Sequence, residues 1–152
     1  GSHFVDILLY LVGGEAESVS AYGDNRGTPV DIDSAIAIRF GKAVLGTITI
    51  VGDAPAWHEE ITLMTDKIAF YIRDGKLIAQ RYKGSKEPVE LIQEPAVSPD
   101  QHFVDCILKG IPCESPFEAG LAVMKLTEAA WHSMANDGAS VAIEPTRATA
   151  TA

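Results

Sequence analysis

Three polar side chains, His3, Asp6 and Tyr10, interrupt an otherwise apolar run from Gly1 to Leu11. On an α-helix they fall at i, i+3 and i+7 and share one face. Phe4, Ile7, Leu8 and Leu11 point elsewhere, toward a core. Imidazole titrates near neutral pH, so His3 suits proton transfer to or from a hydroxyl or carbonyl, and Asp6 one turn on can orient it. Plainer roles stand beside this one. His3 can be a cap, or part of the remnant an affinity tag leaves as Gly1-Ser2-His3. Asp6 can be a partner of the positive end of the helix. Asp6 and Tyr10 are also placed to contact substrate hydroxyls.

A second pair, Trp57-His58, follows Ala54-Pro55-Ala56 in a loop after a strand. An aromatic ring beside an imidazole can floor a sugar site, and a loop tryptophan can equally cover the edge of a core. His102, in the first turn of a capped helix, and His132, beside Trp131 near a helix end, read as structural or solvated. Glu15, Glu17, Glu59 and Glu60 read as strand-edge charges. For the two cysteines, Cys106 and Cys113, neither a CxxC pairing nor a His-Cys spacing makes a metal site, so none is expected. They read as free thiols of a reducing compartment, which implies the cytoplasm.

The elements that position these groups must come from a chain of 152 residues, enough for one domain with a real core. Hydrophobic content of 47% and charged content of 22% are those of a globular protein. A formal net charge of −9 argues against nucleic acid, because phosphate binding needs clustered cations and only Lys83 and Lys86 approach a patch. No apolar run of about 20 residues could span a membrane, and the first eleven residues are too short for a signal peptide.

Helical periodicity opens the chain almost without a lead-in for its cap and stops at Gly13-Gly14. Residues 17–23 read as a strand, and residues 23–33 as a loop. Ile36, Ile38 and Phe40 then alternate with Ala35, Ala37 and Arg39, and Gly41-Lys42 turns the chain into Val44–Val51. Further strands are expected at Glu60–Met64, Ile68–Ile72, Leu77–Tyr82 and Val89–Ile92, with Asp74-Gly75 as a tight hairpin turn. Short connections imply one open, mostly antiparallel sheet.

The period then changes. Ser98-Pro99-Asp100-Gln101 is a capping box that starts a helix ending at Gly110, and Ser115-Pro116-Phe117-Glu118 repeats the pattern for a helix reaching about Asn136. Val141–Glu144 is a short last strand, and residues 145–152 are expected to be a disordered tail. Helices segregated from strands make an α+β fold with helices on one sheet face. The other face would carry Ala35, Ala37, Arg39, Leu45, Thr47, Thr49 and Val51, too apolar for water alone, which predicts a face-to-face dimer.

In this order and spacing the residues resemble the C-terminal domain of the Gfo/Idh/MocA oxidoreductases. The likeness rests on Gly1, His3, Asp6, Leu8 and Leu11; on Asp31-Ile32-Asp33 and the hairpin from Ala35 to Gly46; and on Phe103, Ile107, Gly110, Pro112, Ser115, Gly120, Leu121, Glu128-Ala129, Ser133 and Gly138. One departure is Thr65-Asp66-Lys67, where members usually carry a glycine-bearing turn.

The resemblance implies a C-terminal domain like those of dihydrodipicolinate reductase and glucose-fructose oxidoreductase over residues 1–144. It would bind substrate and assemble into a homodimer or tetramer, downstream of a Rossmann domain that holds NAD or NADP. It implies that His3 is an acid/base residue beside the substrate hydroxyl, working with an acid four positions earlier and a lysine on the Rossmann domain. None of these partners is in the sequence, nor is a Gly-x-Gly-x-x-Gly fingerprint. The expectation is therefore the substrate-side domain of a dehydrogenase of sugars, polyols or related hydroxy compounds, inactive by itself. The rival is a non-catalytic binding or assembly module of the same fold. A further rival is an unrelated α+β ligand-sensing domain, monomeric with its sheet face covered.

Overall fold

The computed structural model describes residues 1–41, 44–89 and 97–146. Their contacts divide into two compact units, one from Gly1–Asp53 together with the chain from Pro112 on, the other from Ala54–Ile111.

The first unit is a helix layer on a sheet. Helix α1 (Ser2–Val12) is followed by strands β1 (Ala16–Asp24), β2 (Asp33–Phe40) and β3 (Val44–Val51). The second unit supplies the next five elements, β4 (Glu60–Met64), β5 (Ile68–Arg73), β6 (Lys76–Arg81), β7 (Lys86–Pro88) and α2 (Pro99–Lys109). The chain then returns to the first unit as helix α3 (Phe117–Ala135) and strand β8 (Val141–Ala142). The first sheet has the order β3-β2-β1-β8, antiparallel throughout.

Alternation decides which face is covered. Ser34, Ile38, Phe40 and Ile48 are buried under the helices, whereas Ala35, Ala37, Arg39, Leu45, Thr47, Thr49 and Val51 are exposed, as the period-two pattern predicts. The core joins Val19, Ala21, Ile38 and Phe40 to Val5 of α1 and to Val123, Leu126, Ala129 and Ala130 of α3. On α1 the supporting stripe is Phe4, Leu8, Leu9 and Val12, rather than Ile7 and Leu11. The stripe runs i, i+4, i+8 from Phe4, with Val5 and Leu9 beside it, which centres the buried face one position along.

Two contacts fix the helices. A Cβ at Gly46 would stand 3.0 Å from Leu8 Cδ2 and from the ring of Phe40, so only glycine lets α1 settle this close to β3. Ser133, fully buried, accepts a hydrogen bond from the Ala21 backbone N–H at 2.8 Å and donates to the Ala139 carbonyl at 2.7 Å. It thereby satisfies a β1 amide lying beyond the short pairing with β8. Arg26, in the β1–β2 loop, pairs with Asp33 at 2.6 Å and Asp53 at 3.0 Å. These carboxylates, Asp33 first, push its guanidinium still further up.

The second unit holds its own antiparallel sheet, β4-β5-β6-β7. The single sheet expected from the run of strands is therefore two four-stranded sheets. Residues 52–59 are too long a connection for a hairpin, so β4 pairs with β5 and not with β3. Asp74 and Gly75, at φ 50° and 70°, make the predicted tight turn. The turn without glycine at residues 65–67 is closed by Thr65, whose hydroxyl accepts from Ile68 N at 3.0 Å and donates to its carbonyl at 2.8 Å, keeping the register of Met64 opposite Ala69. The last strand of this sheet is Lys86–Pro88, while residues 90–92 of the expected Val89–Ile92 lie outside the described residues.

Of the two predicted capping boxes, half of the first is formed and neither bond of the second. Ser98 Oγ accepts from Gln101 N at 3.2 Å, but Gln101 turns its side chain to Asp105 instead of back to Ser98. At α3 the cap residue is Pro116, with no side-chain cap bond, because the helix begins at Phe117 and leaves Ser115 one residue outside. Only Glu118 in the first turn remains of that expectation.

Candidate functional site

Helix α1 presents His3, Asp6 and Tyr10 to solvent along one face, Tyr10 at 84% exposure, while Val5 is driven into the core beneath. The polar stripe is thus held on a rigid, packed element and is open to a ligand. Gly1 is the N-cap, no side chain caps the helix, and no acidic residue lies in its first turn. Asp6 therefore has no capping role. Among the described residues no hydrogen bond or ion pair ties Asp6 to His3, so the orienting contact expected of that pair is not made.

Trp57 and His58 belong to the second unit, on the segment leading into β4. Trp57 is 87% exposed and covers no core. The His58 imidazole lies 3.7 Å from the Glu60 carboxylate. His3, Asp6 and Tyr10 thus share one helix face, and Trp57 and His58 share a separate loop.

Two features escaped the sequence reading. One is a groove of about 320 Å³ between Leu9, Ala119 and Ala122 of the helices and the segment from Ile143 to Thr146. Lys125 Nζ donates to the carbonyls of Glu144 (3.3 Å) and Pro145 (2.9 Å), and Thr146 N donates to Glu15 at 3.1 Å. The first two residues of the expected tail are therefore held in place, and residues 147–152 lie outside the described residues. The other is His102, whose Nε2 stands 3.5 Å from Cys106 Sγ. The signal was their i, i+4 spacing, which places both side chains on one side of a helix.

The sequence profile described as the GFO/IDH/MocA C-terminal domain matches residues 1–77. The chain belongs to the GFO/IDH/MocA family. The match covers α1, the first three strands and the first hairpin of the second unit, including the helix that carries His3, Asp6 and Tyr10.

No curated protein matches the sequence. Among solved structures, the chain is similar to levoglucosan dehydrogenase in complex with NADH and levoglucosan (TM-score 0.77, 18% identity, 95% of this chain and 49% of that one). It is also similar to aldose-aldose oxidoreductase from Caulobacter crescentus complexed with glycerol (0.75, 19%, 94% and 46%). A third is the WlbA dehydrogenase from Bordetella pertussis in complex with NADH and UDP-GlcNAcA (0.72, 20%, 95% and 43%). At these identities the likeness is one of fold, an antiparallel α+β domain, and the chain spans a little under half the length of these three proteins.

Family membership raises the question of a nicotinamide dinucleotide. A pyrophosphate cradle needs a strand running through a glycine-rich turn into a helix N-terminus. Both sheets here are antiparallel, and the first turns of α2 and α3 carry Asp100 and Glu118, which repel phosphate. The described residues do not fit a dinucleotide. Among them, no helix is long and apolar enough to cross a membrane.

Proposed function

We propose that this chain is the substrate-side and assembly domain of an NAD(P)-dependent dehydrogenase of the cytoplasm that acts on a sugar, polyol or related hydroxy compound. The observation that carries the reading is the exposed stripe of His3, Asp6 and Tyr10 on a helix otherwise packed into the core. Oxidation of an alcohol releases a proton and a hydride, and the residues of this chain can serve only the proton. The His3 imidazole accepts it from the substrate hydroxyl as the carbonyl forms, while Asp6 and Tyr10 hydrogen-bond neighbouring hydroxyls. Trp57 and His58 offer a ring face and an imidazole for a sugar.

The open face of the first sheet supports assembly into a homodimer or tetramer. Its centre is small where Ala37 lies opposite Ser20 and Thr47, and the exposed ring of Tyr22 stands beside it, opposite Ala35. Leu45 and Val51 lie exposed at its margin. Two such faces can approach to the usual sheet separation of about 10 Å.

In the full-length enzyme, His3→Asn should lower kcat about 10²–10⁴-fold with cofactor affinity unchanged, whereas the 152-residue chain alone should reduce no NAD(P). Unchanged turnover in His3→Asn would remove the proton role and leave a binding module. Ala37→Arg, at the centre of the open face, should halve or quarter the mass measured by light scattering.

A further inference from the structure

Helix α2 keeps its polar side sheltered and its apolar side wet. Phe103, Ile107 and Leu108 are exposed at 63%, 66% and 77%, while His102, Asp105 and Cys106 on the opposite side are half-buried. Burial of apolar surface therefore does not set how this helix is turned. Asp105 is engaged along the helix. It accepts from Gln101 at 2.8 Å and pairs with Lys109 at 2.8 Å, and these two bonds, that from Lys109 first, hold its carboxyl below the ordinary aspartate range. His102 and Cys106 supply a nitrogen and a sulfur donor one turn apart, hydrogen-bonded to each other with Nε2 and Sγ 3.5 Å apart.

That separation is informative. Zinc binds thiolate sulfur at about 2.3 Å and imidazole nitrogen at about 2.0–2.1 Å in tetrahedral geometry, which sets two such ligands about 3.5 Å apart. In the metal-free chain this contact is a hydrogen bond between thiol and imidazole. Its length already matches that of a chelate, so that loss of the shared proton and a turn of the two side chains are all that coordination requires. We propose that His102 Nε2 and Cys106 Sγ form a chelating pair for Zn²⁺. Helical i, i+4 spacing preorganises the pair, as it does the two histidines of His-Glu-x-x-His zinc sites. On coordination the thiol gives up its proton and a zinc–thiolate bond forms, while the remaining positions take water or a small external ligand. The site is separate from the proton chemistry assigned to His3, so the two readings stand or fall independently.

The test is titration of the full chain with Zn²⁺ by calorimetry, with Co²⁺ as a spectroscopic substitute. The unaltered chain should bind one equivalent and show a thiolate-to-cobalt charge-transfer band. Loss of an outer-sphere partner alone typically costs about 10–100-fold in metal affinity. His102→Ala and Cys106→Ser should therefore each weaken zinc at least tenfold, with unchanged far-ultraviolet circular dichroism. Cys106→His restores a second donor and should recover zinc binding without the thiolate band. Cys106→Ser leaves Cys113 in place, so a band that survives in this variant belongs to Cys113 and overturns the assignment. Failure of the unaltered chain to bind zinc overturns it too.

Discussion

The two units are built from similar strands, yet only one encloses a core. Among the described residues every hydrophobic side chain that is fully buried belongs to the first unit. In the second, Ile61, Leu63, Phe70 and Leu77 are no more than half-buried, and Phe103, Ile107 and Leu108 of α2 face water. Alternation therefore gives a sheet in both units, but a core forms only where a second layer covers the apolar face. In the first unit α1 and α3 supply that layer, fastened by Gly46 and Ser133.

The contrast can be broken or sharpened by substitution. The largest effect is expected at Leu126, 1% exposed at the centre of the first core, where Leu126→Ala should cost about 2–5 kcal/mol. Phe70→Ala, in the half-buried face of the second sheet, should cost about 1 kcal/mol. In urea unfolding, tryptophan fluorescence reads the first unit, since Trp131 bonds Asp31 there while Trp57 is already in solvent, and amide hydrogen exchange of the second sheet reads the other. Equal losses for the two variants would erase the distinction between the units.

Next comes Ser133→Ala, which strands the Ala21 amide beneath α3. It should cost about 1–3 kcal/mol, against near neutrality if water replaces the hydroxyl.

The smallest effect belongs to the second unit. Asp105 has its carboxyl lowered by Lys109 and then by Gln101, so the stability it adds is present above the ordinary aspartate range and is lost as pH falls through its lowered value. Lys109→Met should move the Asp105 titration seen by nuclear magnetic resonance upward while leaving the first unit's unfolding midpoint in place. An unmoved titration would mean that the Lys109 pair is not formed in solution.

Much of this was legible beforehand. The strand at Val44–Val51, the turn at Asp74-Gly75 and the helix ends at Gly13 and Gly110 follow from alternation and backbone chemistry, which are local. The stripe of His3, Asp6 and Tyr10 was legible for the same reason, since a helix fixes the face shared by i, i+3 and i+7. The buried stripe of α1 was misplaced by one position, because its orientation depends on where Gly46 leaves room for Leu8. The separation into two sheets was missed because hydrogen-bond partners between strands are not written in the pattern of either strand alone.

The sequence by itself determined the periods, the turns, the family and the residues that a site on α1 would use. Tertiary structure decided which apolar faces are covered, that Asp6 caps nothing, and that Trp57 stands in solvent. It also left His102 and Cys106 on the sheltered side of α2. Periodicity is a property of neighbours along the chain, whereas burial depends on what another part of the chain brings to the same place.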